Sequence, residues 1–415
     1  MARLLMVTLV YGPDTVSTAN MMTDIAQGLH RVGHDVTVIT SVPHYNPSSE
    51  VRSQPKFTAN WRRPFTVSLE HGVRVLRVFM PLKRHKVWAR GFDYLLFQFL
   101  TTFLALFAVK RPDIVFVTSP PITLGLSGIL ISWLRRGAFI YDVRELWPDV
   151  PVRMGLFRHP LLIRCVYSLE AFVYRKAAAI STIARSFEDN LVDRGVPRNK
   201  LYFTPNFVDV DFIQPINKDN DFSREHGLND KFVVLYAGNV GLTQGLEILI
   251  SVAKTFAGEE HIQFLVVGDG AGKVRLERDV SGSGLTNIRL LPFQPVHRVN
   301  DMYAASDVCV APLRRGFSYD TVPSKIYTSM AAARAVVACA EADSETAVLL
   351  REAAAGIWTT PESSTDLSQA IRELYANPDK AADLGAAGRM WIEDHYSLSA
   401  VVTAYDRMVR RVASD

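Results

Sequence analysis

At 415 residues, with 48% hydrophobic and 21% charged residues, 24 Gly, 21 Pro and only 3 Cys, the chain has a globular composition that excludes disorder, collagen-like repeats and a disulfide scaffold. Its length predicts two domains, each large enough for its own core. The net charge of +4 is uneven: residues 1–215 carry 26 Lys+Arg against 16 Asp+Glu and the remainder 20 against 26, so the first half is expected to face an anionic surface.

In chain order, the first apolar run (4–10) reads as a buried strand entering the Gly12-Pro13-Asp14 loop. It is too short, and lacks the cleavage site, for a signal peptide. An amphipathic helix follows over 19–31 and stops at Gly33-His34. Strands are predicted over 35–40, 74–79, 114–118, 138–142 and 179–182, rich in Val and Ile as in strands buried on both faces. Residues 94–109 hold no charge, yet a membrane span needs about 20 residues. Lys83, Arg84, Lys86 and Arg90 precede this segment, and Lys110 and Arg111 follow it. Two readings fit: a helix packed on a sheet, or an aromatic segment lying in a membrane interface.

A polar stretch with Pro205 and Pro215 separates this series from a second one, with strands over 232–237, 263–267, 288–290, 308–311 and 335–340. The expected organisation is therefore a domain over 1–215, a second over 216–390, and a C-terminal helical segment over 391–415. Two α/β series imply doubly wound sheets with ligands at the carboxyl ends of the strands. Cys165, Cys309 and Cys339 stand alone in apolar runs and are expected to be buried free thiols, suited to a reducing compartment. No Cys or His spacing suggests a metal site. No run of Lys/Arg interleaved with aromatics suggests nucleic acid.

Four loops carry the chemistry. In YAGNVGLTQG, Gly238, Asn239 and Gly241 lie where a strand meets a helix, a place where backbone N–H groups can approach a phosphate. In VVGDGAGK, Gly268 and Gly270 lead to Lys273, a cation suited to a diphosphate. In SYDTVPSKIY, a loop with Asp320 runs into Pro323, Ser324 as the expected N-cap, and Lys325. Lysine in a first turn opposes the helix dipole unless an anion binds there. In YDVRELWPD, Asp142, Arg144, Glu145, Trp147 and Asp149 crowd one strand end, and the loops with Asp14, His44 and Tyr45 are expected beside them. His44 alone reads as structural.

With GHDVTVIT, SPP, DVRELWPD, TPNFVD, YAGNVG, VGDG and PSKIY in order along nearly the whole chain, the sequence resembles the retaining nucleotide-sugar glycosyltransferases of family 4. Within that family it resembles the bacterial subgroup acting in colanic-acid and O-antigen synthesis. The resemblance implies a GT-B fold: two doubly wound Rossmann-like α/β domains facing a central cleft, with the last helix crossing back to the first domain. It places the nucleotide base near Phe293 and Gln294, the diphosphate by Gly241, Lys273, Ser324 and Lys325, and the sugar by Asp320. The expected catalytic residues are Asp142, Arg144, Glu145, Lys273 and Lys325, with Asp142 and Glu145 orienting the acceptor and Arg144 adding positive charge; Asp14, His44, Tyr45 and Trp147 are expected on the acceptor side.

It implies no metal and no cofactor beyond the nucleotide-sugar substrate, with a UDP-sugar favoured. The implied acceptor is a saccharide on polyprenyl diphosphate. The implied setting is cytoplasmic, peripheral on the inner face of the cell membrane and against its anionic surface. Three positions depart from the family. Asn239 and Gln244 stand where Arg and Lys are common. The paired glutamates fall on Asp320 and Thr328, which makes Glu345 the candidate carboxylate for the ribose. The Gly-Lys-Pro after the helix reads Ala333-Arg334-Ala335. A soluble-acceptor transferase, a sugar-nucleotide 2-epimerase and a partner subunit without donor chemistry are the alternatives.

Overall fold

The computed structural model describes residues 1–14, 16–45, 47, 49–82, 87–149, 152, 159–319 and 323–414. The chain forms two compact units, Met1–Asn206 with Leu398–Asp415, and Phe207–Ser397.

The first unit is built on eight strands: β1 Arg3–Val7, β2 Asp35–Ser41, β3 Phe65–Glu70, β4 Val73–Val78, β5 Ile114–Ser119, β6 Ala138–Val143, β7 Ala179–Thr182 and β8 Leu201–Phe203. Their order is β3-β4-β2-β1-β5-β6-β7-β8. All neighbours are parallel except the β3–β4 hairpin. Every residue of β5 is buried, as its unbroken apolar run requires. The helix Ser17–Arg31 buries Met22, Ile25 and Leu29. The last helix, Leu398–Ser414, joins this unit because Val401, Val402, Tyr405, Met408, Val409 and Val412 bury one face. A Cβ on Gly28 would lie 2.4 Å from a Val402 methyl, so a glycine lets the two helices close.

The second unit holds β9 Phe232–Ala237, β10 Ile262–Val267, β11 Ile288–Leu291, β12 Val308–Pro312, β13 Ala335–Cys339 and β14 Gly356–Thr359, ordered β11-β10-β9-β12-β13-β14 and all parallel. Each unit is thus a Rossmann-like doubly wound sheet. The direction of winding reverses between β1 and β5 in the first unit and between β9 and β12 in the second, the crevices where such sheets bind ligands.

Cys309 and Cys339 are buried, but Cys165 is exposed. Its helix, Pro160–Lys176, buries Glu170, Val173 and Tyr174 and turns Cys165 outward, which corrects the sequence expectation of three buried thiols.

Candidate functional site

Parallel register decides where the second unit's loops emerge. Val267 pairs with both Ala237 and Leu291, and Cys339 with both Pro312 and Thr359, so the strands end along one edge. Gly238, Asn239, Gly241, Gly268, Gly270, Lys273, Phe293, Gln294, Pro323, Ser324, Lys325 and Glu345 all follow strands ending at that edge. Asp320 lies outside the described residues.

The loops are tied to one another. Gly238 N donates to Val267 O (2.9 Å), Val240 N to Asp269 O (2.8 Å) and Gly272 N to Val240 O (2.8 Å). Across the crevice, Arg314 N donates to Thr243 O (2.9 Å). A Cβ on Gly268 would fall 1.8 Å from Gly238 O, so these two loops can touch only as glycine. Gly238 has φ 142°, and a Cβ there would meet Lys325 Cε at 3.0 Å.

Lys325 therefore runs its aliphatic stem past Gly238. Its Nζ stands 4.9 Å from the centre of the Tyr236 ring, and the Tyr236 hydroxyl is held by donating to Asn239 O (2.6 Å). Burial pushes the ammonium down to about 8. Among the described residues no carboxylate pairs with it. The residue sits in the first turn of the helix Ser324–Ala331. Pro323 is the N-cap there, and no side chain caps the turn. Ser324 is the first helical residue and not the expected cap, because Pro323 already holds the extended backbone of that position (φ −67°, ψ 110°). Ile326 N donates to Pro323 O (3.1 Å), while the Ser324 and Lys325 N–H groups have no partner among the described residues, an arrangement that suits a phosphate.

The other candidates differ in their freedom. Lys273 opens the helix Lys273–Ser283 after an uncapped Gly272, but its Nζ lies 3.8 Å from Glu277. The Asn239 and Gln244 amides converge over Gly241, and Gln244 Oε1 is buried without a hydrogen-bond partner among the described residues. Phe293 is exposed, and Gln294 Nε2 donates to Pro292 O (3.0 Å). Glu345 is buried in the first turn of Glu345–Glu352, whose N-cap Ser344 accepts from Ala347 N.

Sequence reasoning missed Glu341. Its carboxylate accepts from Gly316 N and Ser318 Oγ, and so anchors the loop after β12 to the loop after β13. Tyr319 adds a second tie by donating to Asp343 (2.6 Å). A glutamate just past a fully buried strand was the available signal. Tyr236 was missed because an aromatic near a strand end reads as core.

In the first unit, Asp142 and Arg144 form a closed network. Asp142 Oδ1 accepts from Ser181 Oγ (2.7 Å) and Tyr405 OH (3.1 Å), and Arg144 reaches Asp142 Oδ2 (3.3 Å) and Asn206 Oδ1 (2.7 Å). Burial works against the Arg144 charge, but Asp142 and Tyr405 more than offset it and hold the guanidinium above its ordinary value. Asp142 is wholly buried and Arg144 nearly so. Both oxygens of Asp142 are taken, so the network holds the last helix to β6 and β7. Asp142 and Arg144, expected at the catalytic centre, are thus engaged with the protein itself in this structure.

Glu145, next along, is half-buried with its carboxyl raised by burial, and has no hydrogen-bond partner among the described residues. Trp147 is half-buried, and Asp149 accepts from Tyr167 OH (2.5 Å) and pairs with Arg194. At the first unit's own crevice, Asp14 Oδ1 accepts from His44 N (3.1 Å) and Tyr45 N (3.0 Å), and Asp14 Oδ2 lies 3.6 Å from His44 Nδ1. His44 Nδ1 is also 2.8 Å from Ser41 Oγ.

Residues 18–206 match the glycosyl transferase 4-like domain, and residues 218–391 match the glycosyl transferases group 1. WcaI of Escherichia coli (strain K12), named for glycosyl transfer in colanic acid biosynthesis, is 26% identical over 89% of this chain and 91% of its own. The sucrose-phosphate synthase structure from Thermosynechococcus elongatus superposes with a TM-score of 0.73, at 16% identity, over 99% of each chain. Anabaena HepE in complex with UDP-glucose gives a TM-score of 0.71, at 16% identity, over 100% of each.

Proposed function

The chain belongs to the family 4 glycosyltransferases of the GT-B fold, and within that family we propose that it moves a sugar, with retention, from a UDP-sugar to a saccharide carried on polyprenyl diphosphate during bacterial envelope polysaccharide synthesis. One observation carries the donor side: Lys325 is a desolvated cation with no carboxylate among the described residues, set beside an uncapped helix N-terminus and the glycine loops at the β9–β12 crevice. A half-buried cation that has lost much of its water and has no counter-ion is costly unless a ligand supplies one. A diphosphate does so, and the charge that grows on it as the glycosidic bond breaks is what such a site stabilises.

In the proposed reaction the acceptor hydroxyl oxygen bonds to the sugar's anomeric carbon on the face that the diphosphate leaves. The carbon–oxygen bond to UDP breaks, and the hydroxyl proton passes to the departing diphosphate. Glu145, with its raised carboxyl, is assigned to orienting the acceptor. The Lys325 ammonium and the open N–H groups supply the charge stabilisation, so the reaction is expected to proceed without metal. The choice of uridine is supported by the likeness to HepE, and the setting in polysaccharide synthesis by the likeness to WcaI. The proposed setting is the cytoplasmic face of the cell membrane.

Thermal melting with UDP, GDP, ADP and TDP titrated separately in EDTA tests the donor side. A nucleotide at 100 times its Kd adds about 2.7 kcal/mol. A rise with UDP that disappears in Lys325→Ala is expected. A rise with GDP alone would reassign the donor, and no rise with any nucleotide would overturn the reading.

A further inference from the structure

We infer that the outer face of two neighbouring helices in the first unit, Val87–Phe107 and Leu124–Arg135, docks on the surface of an anionic lipid bilayer. The first helix is apolar on both sides. Phe97, Leu104 and Ala105 are buried together with Thr101, while Phe92, Leu95, Phe99, Phe103 and Phe107 are exposed. The exposed set recurs every three or four residues, so it forms a continuous stripe along the helix, with Phe99 at 70% exposure. The second helix repeats the pattern: Leu126, Leu130, Trp133 and Leu134 are exposed, with Trp133 at 75%.

The two stripes lie side by side. Gln98 donates to Thr123 near the start of one helix, and Arg135 at the end of that helix donates to Leu106 O and to Val109 O (2.6 Å), so the helices run in the same direction. A contiguous apolar surface of this kind marks an interaction site.

Charge selects the occupant. Lys110, Arg111 and Arg136 are exposed where both helices end. The only carboxylate on either helix among the described residues is Asp93, which is buried. The neighbouring Asp113 is paired with Arg3 at 2.9 Å. Aromatic rings with a cationic border and no exposed acid match a bilayer interface, where rings enter the headgroup–acyl boundary and Lys/Arg meet lipid phosphates. A second copy of the chain would bring no carboxylate on this face to meet those cations. No helix among the described residues is long and apolar enough to cross a membrane, so the contact is one that lies on the surface. The inference rests on the proposed function only in that a lipid-carried acceptor gives the contact a purpose.

Flotation of the full chain with vesicles of phosphatidylcholine alone, or with about one-third phosphatidylglycerol, tests it without any acceptor present. Wild type is expected to float with the anionic vesicles. The Phe99→Ser/Phe103→Ser/Trp133→Ser variant should lose at least tenfold in vesicle affinity, and Lys110→Glu/Arg136→Glu roughly fivefold or more per charge. Both variants should keep the wild-type melting temperature and its UDP-induced rise, because they change only exposed side chains. Wild type that stays in solution with anionic vesicles, or a triple variant that floats as well as wild type, would overturn the inference. So would a wild-type dimer, measured by sedimentation, that ignores vesicles and becomes monomeric in the triple variant. Failure of the donor reading would appear separately, as loss of the UDP response with flotation intact.

Discussion

Each unit sets a cation on the loops that follow its strands, Arg144 buried and Lys325 half-buried, and the two are treated in opposite ways. Arg144 follows β6 in a pocket where Asp142, Asn206 and Tyr405 take up its hydrogen bonds. Lys325 lies against the end of β9, its stem by Gly238 and its ammonium over the face of Tyr236, with no carboxylate paired to it among the described residues. The opposite directions of their shifts follow: a partner holds the Arg144 guanidinium above its ordinary value, and burial without one brings Lys325 down to about 8. The contrast teaches that burial alone does not identify a working residue. A charge whose partners are inside the protein holds the fold; one whose partner is missing is poised for a ligand.

The most severe way to break this comparison is Arg144→Ala. It leaves the Asp142 carboxylate buried beside a hole, and should cost about 3–5 kcal/mol in urea unfolding. The double variant Asp142→Asn/Arg144→Met should recover much of that loss. A stable but inactive Arg144→Ala would return the pair to the catalytic role first read for it.

Lys325→Ala should do the reverse, lowering kcat/KM by roughly 100-fold, about 2.7 kcal/mol, with a melting temperature that is unchanged or raised. An unchanged rate would remove its assigned role. The pH dependence sharpens the point. Lys325 loses its proton near 8 when folded but near 10.5 when unfolded, so between these values the unfolded chain binds more protons. The unliganded protein should therefore gain stability as pH rises through that window, while its affinity for UDP falls as the cation is lost.

Much of this architecture was legible in the sequence, because buried parallel strands are unbroken apolar runs. Five of the six strands of the second unit lie within a residue of the expected spans. The strands that escaped were β3, β8 and β14: β3 alternates in burial, β8 has three residues, and β14 is mostly half-buried. The glycine loops and Lys325 were legible for the same reason, since glycine and a lysine opposed to a helix dipole are local signals.

What was not legible was partnership across the chain. Nothing near residue 142 in sequence reveals that Tyr405 and Ser181 close around Asp142. Ala333 is a milder case. It holds φ 54° just past the helix Ser324–Ala331, a left-handed conformation that glycine adopts without strain, yet alanine occupies it here.

Asp14 is intermediate between the two cations and gives the smallest test. It is a buried carboxyl whose two backbone hydrogen bonds, from His44 and Tyr45, do not repay its burial, and it is raised to about 6. The sign follows from proton counting. Between about pH 4 and 6 the folded state keeps a proton that the unfolded chain has released, so stability falls as pH rises through that window and levels off above it. Asp14→Asn keeps an acceptor for the two N–H groups but cannot ionise. It should remove this slope and leave the variant more stable than wild type at pH 7 by roughly 3 kcal/mol, measured by urea unfolding at a series of pH values. If the slope disappears and activity is retained, Asp14 belongs with Arg144 among the residues that hold the fold. If the variant gains stability and loses activity, the strain of ionising Asp14 is maintained for function, and the first unit has its own counterpart to Lys325.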